Sequence, residues 1–173
     1  MEWWQGRDGP RFAYLHLADL HEPLVVPDDQ PFGEVSEVEG LRRWNFQQTT
    51  TPTDEFERYR TERVRLYDTL VRYVDAQLRR LYEMVMDSEE PPLVVVTGDH
   101  GEEFWEYKDF EETHFEDSRG ISGVGHGHAL VPPVIEVPIA TNIEGLSASE
   151  SRRSLTDIVP TVLQELSVKI PFN

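Results

Sequence analysis

Acidic and histidine side chains directly follow two apolar segments of the chain. The segment LVVVT (93–97) runs into Gly-Asp-His-Gly, so that Asp99 and His100 stand side by side between two glycines. The segment RFAYLHL (11–17) runs into a second polar group that includes His21. Carboxylate oxygens and imidazole nitrogens together suit a divalent cation such as Zn²⁺ or Mn²⁺. By spacing alone, Asp99 and His100 fit equally well as metal ligands or as a helix cap beside a loop histidine.

A third group of histidines lies in the glycine-rich segment GISGVGHGHALVPP (120–133), which contains His126 and His128. Side chains two positions apart fall on one face of an extended segment, and such a pair can chelate a metal ion. The alternative is a solvent loop whose histidines have no functional role. Taken alone, the segment favours that alternative, because no partner group that would orient the rings is evident.

Two predicted strands and a long helix would position these side chains. Segments 11–17 and 93–97 are short and apolar, which predicts buried strands. Between them, a helix is predicted to begin at Thr53 or Asp54. Its buried stripe is expected at Phe56, Tyr59, Val64, Tyr67, Leu70, Val71, Val74, Leu78, Leu81 and Val85. Strand, helix and strand then form one βαβ unit, and the carboxyl ends of its parallel strands meet at one crevice, where ligands bind in α/β sheets.

The remainder of the chain adds two predicted elements. A strand is predicted over 134–141, and a closing helix over 151–166 with Ser154 as its cap. Gly98 and Gly101, on either side of the Asp-His pair, are expected to let the backbone turn sharply and to admit a bulky ligand.

The composition excludes several functional classes. The 173 residues fit one domain, have a net charge of −17 and include no cysteine. The charge argues against binding to nucleic acid or anionic membranes, and the lack of cysteine excludes disulfides and thiolate metal sites. No apolar run approaches the roughly 20 residues of a membrane span, and no signal peptide is evident, so a cytoplasmic location is expected. Many acids with only two lysines indicate a halophilic protein, and the alternative is an ordinary acidic cytoplasmic protein.

Five segments, taken in order, resemble the C-terminal half of the catalytic domain of sulfatases, within the alkaline phosphatase superfamily. They are HLADLHEPL, RLYDTLVRYVDAQLRRL, LVVVTGDHGEEF, GHGHALVPPVIEVPI and LTDIVPTVLQEL. The superfamily also includes phosphonate monoester hydrolases and phosphoglycerol and phosphoethanolamine transferases. The resemblance implies an α/β fold, alkaline-phosphatase-like, in which a mainly parallel sheet forms a three-layer sandwich. Residues 1–173 would be one incomplete domain of this kind.

The resemblance also implies site residues. Asp99 and His100 match the metal ligands after the central strand, and one divalent cation (Ca²⁺, Mg²⁺, Mn²⁺ or Zn²⁺) is expected there. His21 matches the histidine that reaches the sulfate or phosphate group. His126 matches the histidine ahead of the Val-Pro strand, and both would bind ester oxygens or protonate the leaving oxygen. His128 would be an extra residue, either a second-metal ligand or a bystander.

Two departures from the family pattern limit these implications. No lysine follows the His-Gly pair as in many sulfatases, which leaves phosphoesters open, and Lys108 is the nearest lysine. The nucleophile motif Cys/Ser-x-Pro-Ser-Arg of the family's N-terminal half is absent. The chain is therefore expected to be a fragment or truncated copy of a hydrolase that acts on anionic esters. It should be inactive alone and should associate with a complementary N-terminal half or with itself. The alternatives are a phosphodiesterase or phosphotransferase of the superfamily, and a non-catalytic binding or assembly module that retains the scaffold.

Overall fold

The computed structural model describes residues 9–28, 30–48, 51–144 and 153–169. One long helix precedes a series of short elements. In chain order the elements are α1 (Asp54–Met86), β1 (Val95–Thr97), β2 (Glu103–Phe104), α2 (Lys108–His114), β3 (Val124–Gly125), α3 (Pro132–Ile135), β4 (Ile139–Thr141), a 3₁₀ turn (Leu155–Asp157) and α4 (Ile158–Glu165). Within these described ranges, no helix is long and apolar enough to cross a membrane.

The long helix α1 begins where the sequence predicts. Thr53 is the N-cap, with extended backbone, and its side chain accepts a hydrogen bond of 3.1 Å from the N–H of Phe56. Acidic residues occupy the first turn, where the positive end of the helix dipole favours them. The helix ends at Met86, and the N–H of Asp87 donates to the carbonyl oxygen of Glu83.

The buried face of α1 is shorter than predicted. Its buried residues, Phe56, Tyr59, Arg63, Leu66 and Leu70, all lie in the N-terminal half. The predicted core position Val71 is 41% exposed. The N-terminal half packs against residues from 24–41 and against those of β2 and β3, and nothing comparable covers the C-terminal half among the residues described.

An aromatic cluster around Trp105 joins α1 to the segment that follows β2. The indole of Trp105 contacts the rings of Trp44, Phe56 and Tyr59, with centroid distances of 6.2, 5.3 and 6.1 Å and edge-to-face geometry. The guanidinium of the buried Arg63 lies 4.0 Å from the centroid of Trp44. The cluster therefore fixes the chain immediately after the polar residues of segment 98–103.

The strands pair antiparallel, so the predicted parallel pairing is wrong for the described residues. In the pair β1–β4, Val96 lies opposite Ala140, and in the pair β2–β3, Glu103 lies opposite Gly125. Residues 11–17 belong to no strand. An apolar segment becomes a strand only when a neighbouring segment satisfies its backbone N–H and C=O groups, and no described segment pairs with this one.

The predicted burial of the two apolar segments is also wrong for the described residues. Phe12 is 82% exposed and Tyr14 is 77% exposed. Val96 of β1 and Ile139 of β4 are exposed as well. These side chains are apolar enough for a core, but the described residues provide no layer that covers them.

The prediction of a strand over 134–141 is correct only for its last part. Ile139–Thr141 form β4, whereas Val134 and Ile135 belong to the single turn α3. Two prolines open that turn, where their fixed backbone angle favours a helix start.

The closing helix is confirmed within the described residues, and residues 151–152 of the predicted range lie outside them. Ser154 is its cap, because its side chain accepts from the N–H of Thr156 at 3.3 Å. The carboxylate of Asp157 accepts from the N–H of Ser154 at 3.0 Å. These reciprocal bonds form a capping box at the start of the 3₁₀ turn.

Gly101 packs directly against the backbone of α3. Its N–H donates to the carbonyl oxygen of Val134 at 2.7 Å, and a Cβ at position 101 would lie only 1.9 Å from the carbonyl oxygen of Pro133. The expectation that this glycine admits a ligand is therefore corrected, because the space beside it is filled by the protein's own backbone.

The variant Gly101→Ala is expected to lower the free energy of unfolding by about 2–3 kcal/mol, because the added methyl group forces the backbone apart. Urea unfolding measures the effect. Gly120→Ala is the matched control: a Cβ there meets nothing within 4 Å, so only its φ of +70° opposes the change, at about 1 kcal/mol. Equal losses in the two variants would contradict the packing explanation.

Candidate functional site

Residues from separate segments meet at an open cleft beside the carboxyl end of β1. The cleft has a volume of about 690 Å³, and Asp99, His100, His126 and His128 contribute to its walls. Its apolar wall includes side chains from 115–135. The structure thus brings together four of the five residues singled out from the sequence.

Asp99 is held in its ionised form. Burial raises the pKa of the carboxyl, but backbone N–H groups and the imidazoles of His100 and His16 outweigh that effect and leave the pKa below its usual value. One of these hydrogen bonds is from the backbone N–H of His100 to Asp99 Oδ1, at 3.1 Å. A carboxylate in this state is suited to a cation, and the effect of His16 shows that segment 11–17 passes close by.

His100 is oriented as metal-binding histidines usually are. Its Nδ1 lies 2.8 Å from the carbonyl oxygen of Gly101, and because a carbonyl oxygen only accepts, Nδ1 carries the proton. The lone pair is therefore on Nε2, which lies 3.9 Å from Asp99 Oδ1. The two residues fit part of a divalent-cation site, but catalytic zinc sites usually have three protein ligands.

The ring of His126 lies against that of His100, tilted by 33°, and contacts a carboxylate. The two ring centroids are 3.9 Å apart, and Nδ1 of His126 lies 2.9 Å from Oε1 of Glu102. The Glu102 side chain is only 8% exposed, whereas that of His126 is 31% exposed, so the carboxylate is shielded while the ring remains accessible. Glu102 is not among the site residues predicted from the sequence. Only the register of β2 and β3 reveals its role. Glu103 lies opposite Gly125, which places Glu102 beside His126.

The ring of His21, which comes from the N-terminal part of the chain, lies near that of His126. Its ring centroid is 5.9 Å from that of His126, and its Nδ1 donates to the carbonyl oxygen of Glu22 at 2.7 Å. The Glu22 carboxylate in turn accepts from the N–H of Trp44 at 2.6 Å. The segment that carries His21 is thereby tied to the aromatic cluster, while the imidazole itself stays exposed.

His128 differs from His126 in its surroundings. Its side chain is 2% exposed, and its Nε2 lies 3.0 Å from Oε2 of Glu111 in α2. The two histidines contact different carboxylates, so the structure does not show them as a chelating pair. The sequence gives no sign of this role for Glu111, because only the packing of α2 against the glycine-rich segment brings it to His128.

Glu103 and Glu111 form a buried pair of carboxyl groups. Burial, together with the adjacent Glu111 side chain, raises the pKa of Glu103 to about 8. Two buried carboxyl groups this close cannot both ionise without a compensating proton or cation.

The free energy of unfolding, measured in chelator, is therefore expected to fall as the pH rises from about 4.5 to about 8. The unfolded chain loses the Glu103 proton near 4.5, whereas the folded chain retains it up to about 8. In that window the folded state binds more protons, so stability decreases with pH, by up to about 1.4 kcal/mol per pH unit. Urea unfolding of Glu103→Gln should lack this slope, and the exposed control Glu116→Gln should keep it. Equal slopes in the wild type and Glu103→Gln would contradict the expectation.

Comparison with known proteins identifies the family of this chain. No curated protein and no solved structure matches the chain. The Sulfatase family model matches residues 1–168, which is nearly the whole sequence and includes every residue of the cleft. That family has an alkaline-phosphatase-like α/β fold and generally uses a divalent metal. The chain therefore belongs to the sulfatase family.

Proposed function

We propose that this chain carries metal-binding and oxyanion-binding residues of a sulfate ester hydrolase. The observation that carries the proposal is the convergence of Asp99, His100 and the His126–Glu102 pair at one cleft. A carboxylate and an imidazole can hold a cation, and a second imidazole with a buried carboxylate partner can handle a proton. Membership of the sulfatase family supports an anionic ester as substrate.

Each side chain has a distinct role in this proposal. Asp99 and Nε2 of His100 would be two of the ligands of a divalent cation. That cation would polarise the ester oxygens and favour ionisation of the nucleophile. Glu102 fixes the ring of His126 through Nδ1. The other ring nitrogen, Nε2, can then exchange a proton with the leaving oxygen. His21, exposed beside it, binds a charged oxygen of the ester.

A phosphate ester is the second candidate substrate. The observation that favours it is the position of Lys108, which is the lysine nearest to the cleft residues in the sequence. Its Nζ lies 3.2 Å from the carboxylate of Glu112 in the same helix. Lys108 is also not among the residues that line the cleft. A phosphodiesterase or phosphotransferase would need no sulfate-binding lysine there.

The proposed active site requires residues that these 173 do not supply. Asp99 and His100 are two ligands where three are usual, and the family's nucleophile motif is not in the sequence. A complementary N-terminal half, or a second copy of the chain, would complete the ligand set. It would also cover the exposed apolar side chains of segment 11–17 and β1. The 173 residues would thus be a single domain portion, inactive alone, and their acidic surface suits high salt.

The test compares p-nitrophenyl sulfate with bis(p-nitrophenyl) phosphate as substrates. The protein as its gene encodes it is assayed beside the 173-residue chain alone, each with and without divalent cation. We expect no turnover by the 173-residue chain and cation-dependent hydrolysis of the sulfate ester once the missing half is supplied. Preferential hydrolysis of the phosphate diester would favour the second candidate. Turnover by the 173-residue chain that is lost in Asp99→Ala would overturn the need for a second half.

A further inference from the structure

Three buried side chains from three elements converge behind the wall of the cleft. Glu103 of β2, Glu111 of α2 and His128 each offer a ligand atom, and these atoms lie within 4.8 Å of one another. Glu103 is 0% exposed and Glu111 is 1% exposed, and the side chain of His128 is 2% exposed. None of the three is a ligand assigned to the cation at Asp99 and His100.

The backbone fixes one face of this group. The N–H of Tyr107 donates to Glu103 Oε1 at 2.7 Å, and the N–H of Gly123 donates to Glu111 Oε2. These two bonds, with the contact between Glu111 and His128, orient all three side chains toward one another. A site held in this way requires no rearrangement to receive a small ligand.

The opposite face of the group lacks hydrogen-bond partners. Among the described residues, no donor reaches Glu103 Oε2 or Glu111 Oε1, and Nδ1 of His128 has no partner. Nε2 of His128 faces Glu111, so Nδ1 points away from the two carboxyl groups. Buried polar atoms are nearly always satisfied, so the two unpartnered carboxylate oxygens point to a missing species that accepts lone pairs. A cation beside these oxygens and Nε2 of the neutral imidazole would meet that requirement.

We propose that Glu103, Glu111 and His128 bind a structural divalent cation of the Zn²⁺ class, at a site distinct from the one at Asp99 and His100. Two carboxylates and one neutral imidazole form a mixed oxygen and nitrogen ligand set with a charge that the ion cancels. The ion would join β2, α2 and the glycine-rich segment, and would thereby hold His126 and Glu102 in place. This inference does not depend on ester hydrolysis.

Metal content provides the first test. The variant Asp99→Asn removes a ligand of the other site, is treated with EDTA, reloaded with Zn²⁺ and dialysed. Elemental analysis is expected to find one equivalent of zinc, and none after the additional change His128→Asn. His114→Asn, at an exposed histidine of α2, is the matched control and should retain the equivalent. No zinc in Asp99→Asn, or an unchanged equivalent after His128→Asn, would overturn the proposal.

Thermal stability provides a second test, and its first measurement leaves the three residues of the cluster unchanged. At pH 8, Zn²⁺ at a hundredfold excess over its Kd should raise the melting temperature of Asp99→Asn by about 5 °C or more relative to EDTA. Glu103→Gln, whose amide can donate to Glu111, should abolish that shift. If a proton shared by Glu103 and Glu111 takes the place of a cation, Zn²⁺ will not raise the melting temperature of either variant. That outcome would overturn the proposal.

Discussion

Replacing Asp99 with asparagine is expected to weaken the binding of a divalent cation at the cleft by at least 10-fold to 100-fold. Loss of a hydrogen-bonding partner of a ligand already costs that much, and here a charged ligand itself is lost. Asparagine has the same shape, and its oxygen can still accept the His100 N–H that now bonds to Asp99 Oδ1. The variant therefore tests the negative charge rather than the fold.

Titration with Mn²⁺, followed by the paramagnetic signal of the free ion, measures this affinity. Both proteins carry His128→Asn, so that the second site proposed above does not contribute. In any assembly that hydrolyses p-nitrophenyl sulfate, the same change should lower kcat/KM by roughly 100-fold or more. Asp109→Asn, at an exposed acid in the first turn of α2, is the control. Equal affinities for Asp99→Asn and the control would show that Asp99 is not a ligand.

The variant Trp105→Ala is expected to lower the free energy of unfolding by about 3–5 kcal/mol. Trp105 is 6% exposed and contacts three aromatic rings, so its removal leaves a large cavity. The segment that carries Glu102 and Glu103 leads directly into this residue. We therefore expect the cleft to lose its order together with the core.

Urea unfolding followed by circular dichroism measures the loss. Phe110→Ala is a suitable control, because Phe110 is an aromatic residue five positions later that is 47% exposed. It should change the stability by about 0.5 kcal/mol or less. A similar loss in both variants would contradict the central position of Trp105 in the core.

The sequence predicts the elements that depend on local signals. The start of α1 at Thr53 and the cap of the closing helix at Ser154 are both confirmed, because a capping side chain bonds to backbone two or three residues away. Within segment 93–97, Val95–Thr97 form the strand β1. It pairs antiparallel with β4 rather than parallel with segment 11–17, because pairing depends on which distant segment lies beside a strand.

The candidate site divides in the same way. Asp99 and His100 can be proposed from the sequence, since their residue types suit a cation at the end of an apolar segment, whereas His126 is selected only through the resemblance to the sulfatase family. Glu102 and Glu111 could not be, because each meets its histidine across 24 or 17 positions of sequence. Those contacts arise from the pairing of β2 with β3 and from the packing of α2, which are tertiary features.

The position of a bound metal ion tests the central claim most directly. A crystal of the protein grown with Zn²⁺ and vanadate, measured at the zinc absorption edge, would show each ion as an anomalous peak. We predict a peak about 2.0–2.2 Å from a carboxylate oxygen of Asp99 and from Nε2 of His100, with the vanadate beside His126. Zinc bound elsewhere on the protein, with no peak between Asp99 and His100, would contradict the assignment of this cleft as the sulfatase site.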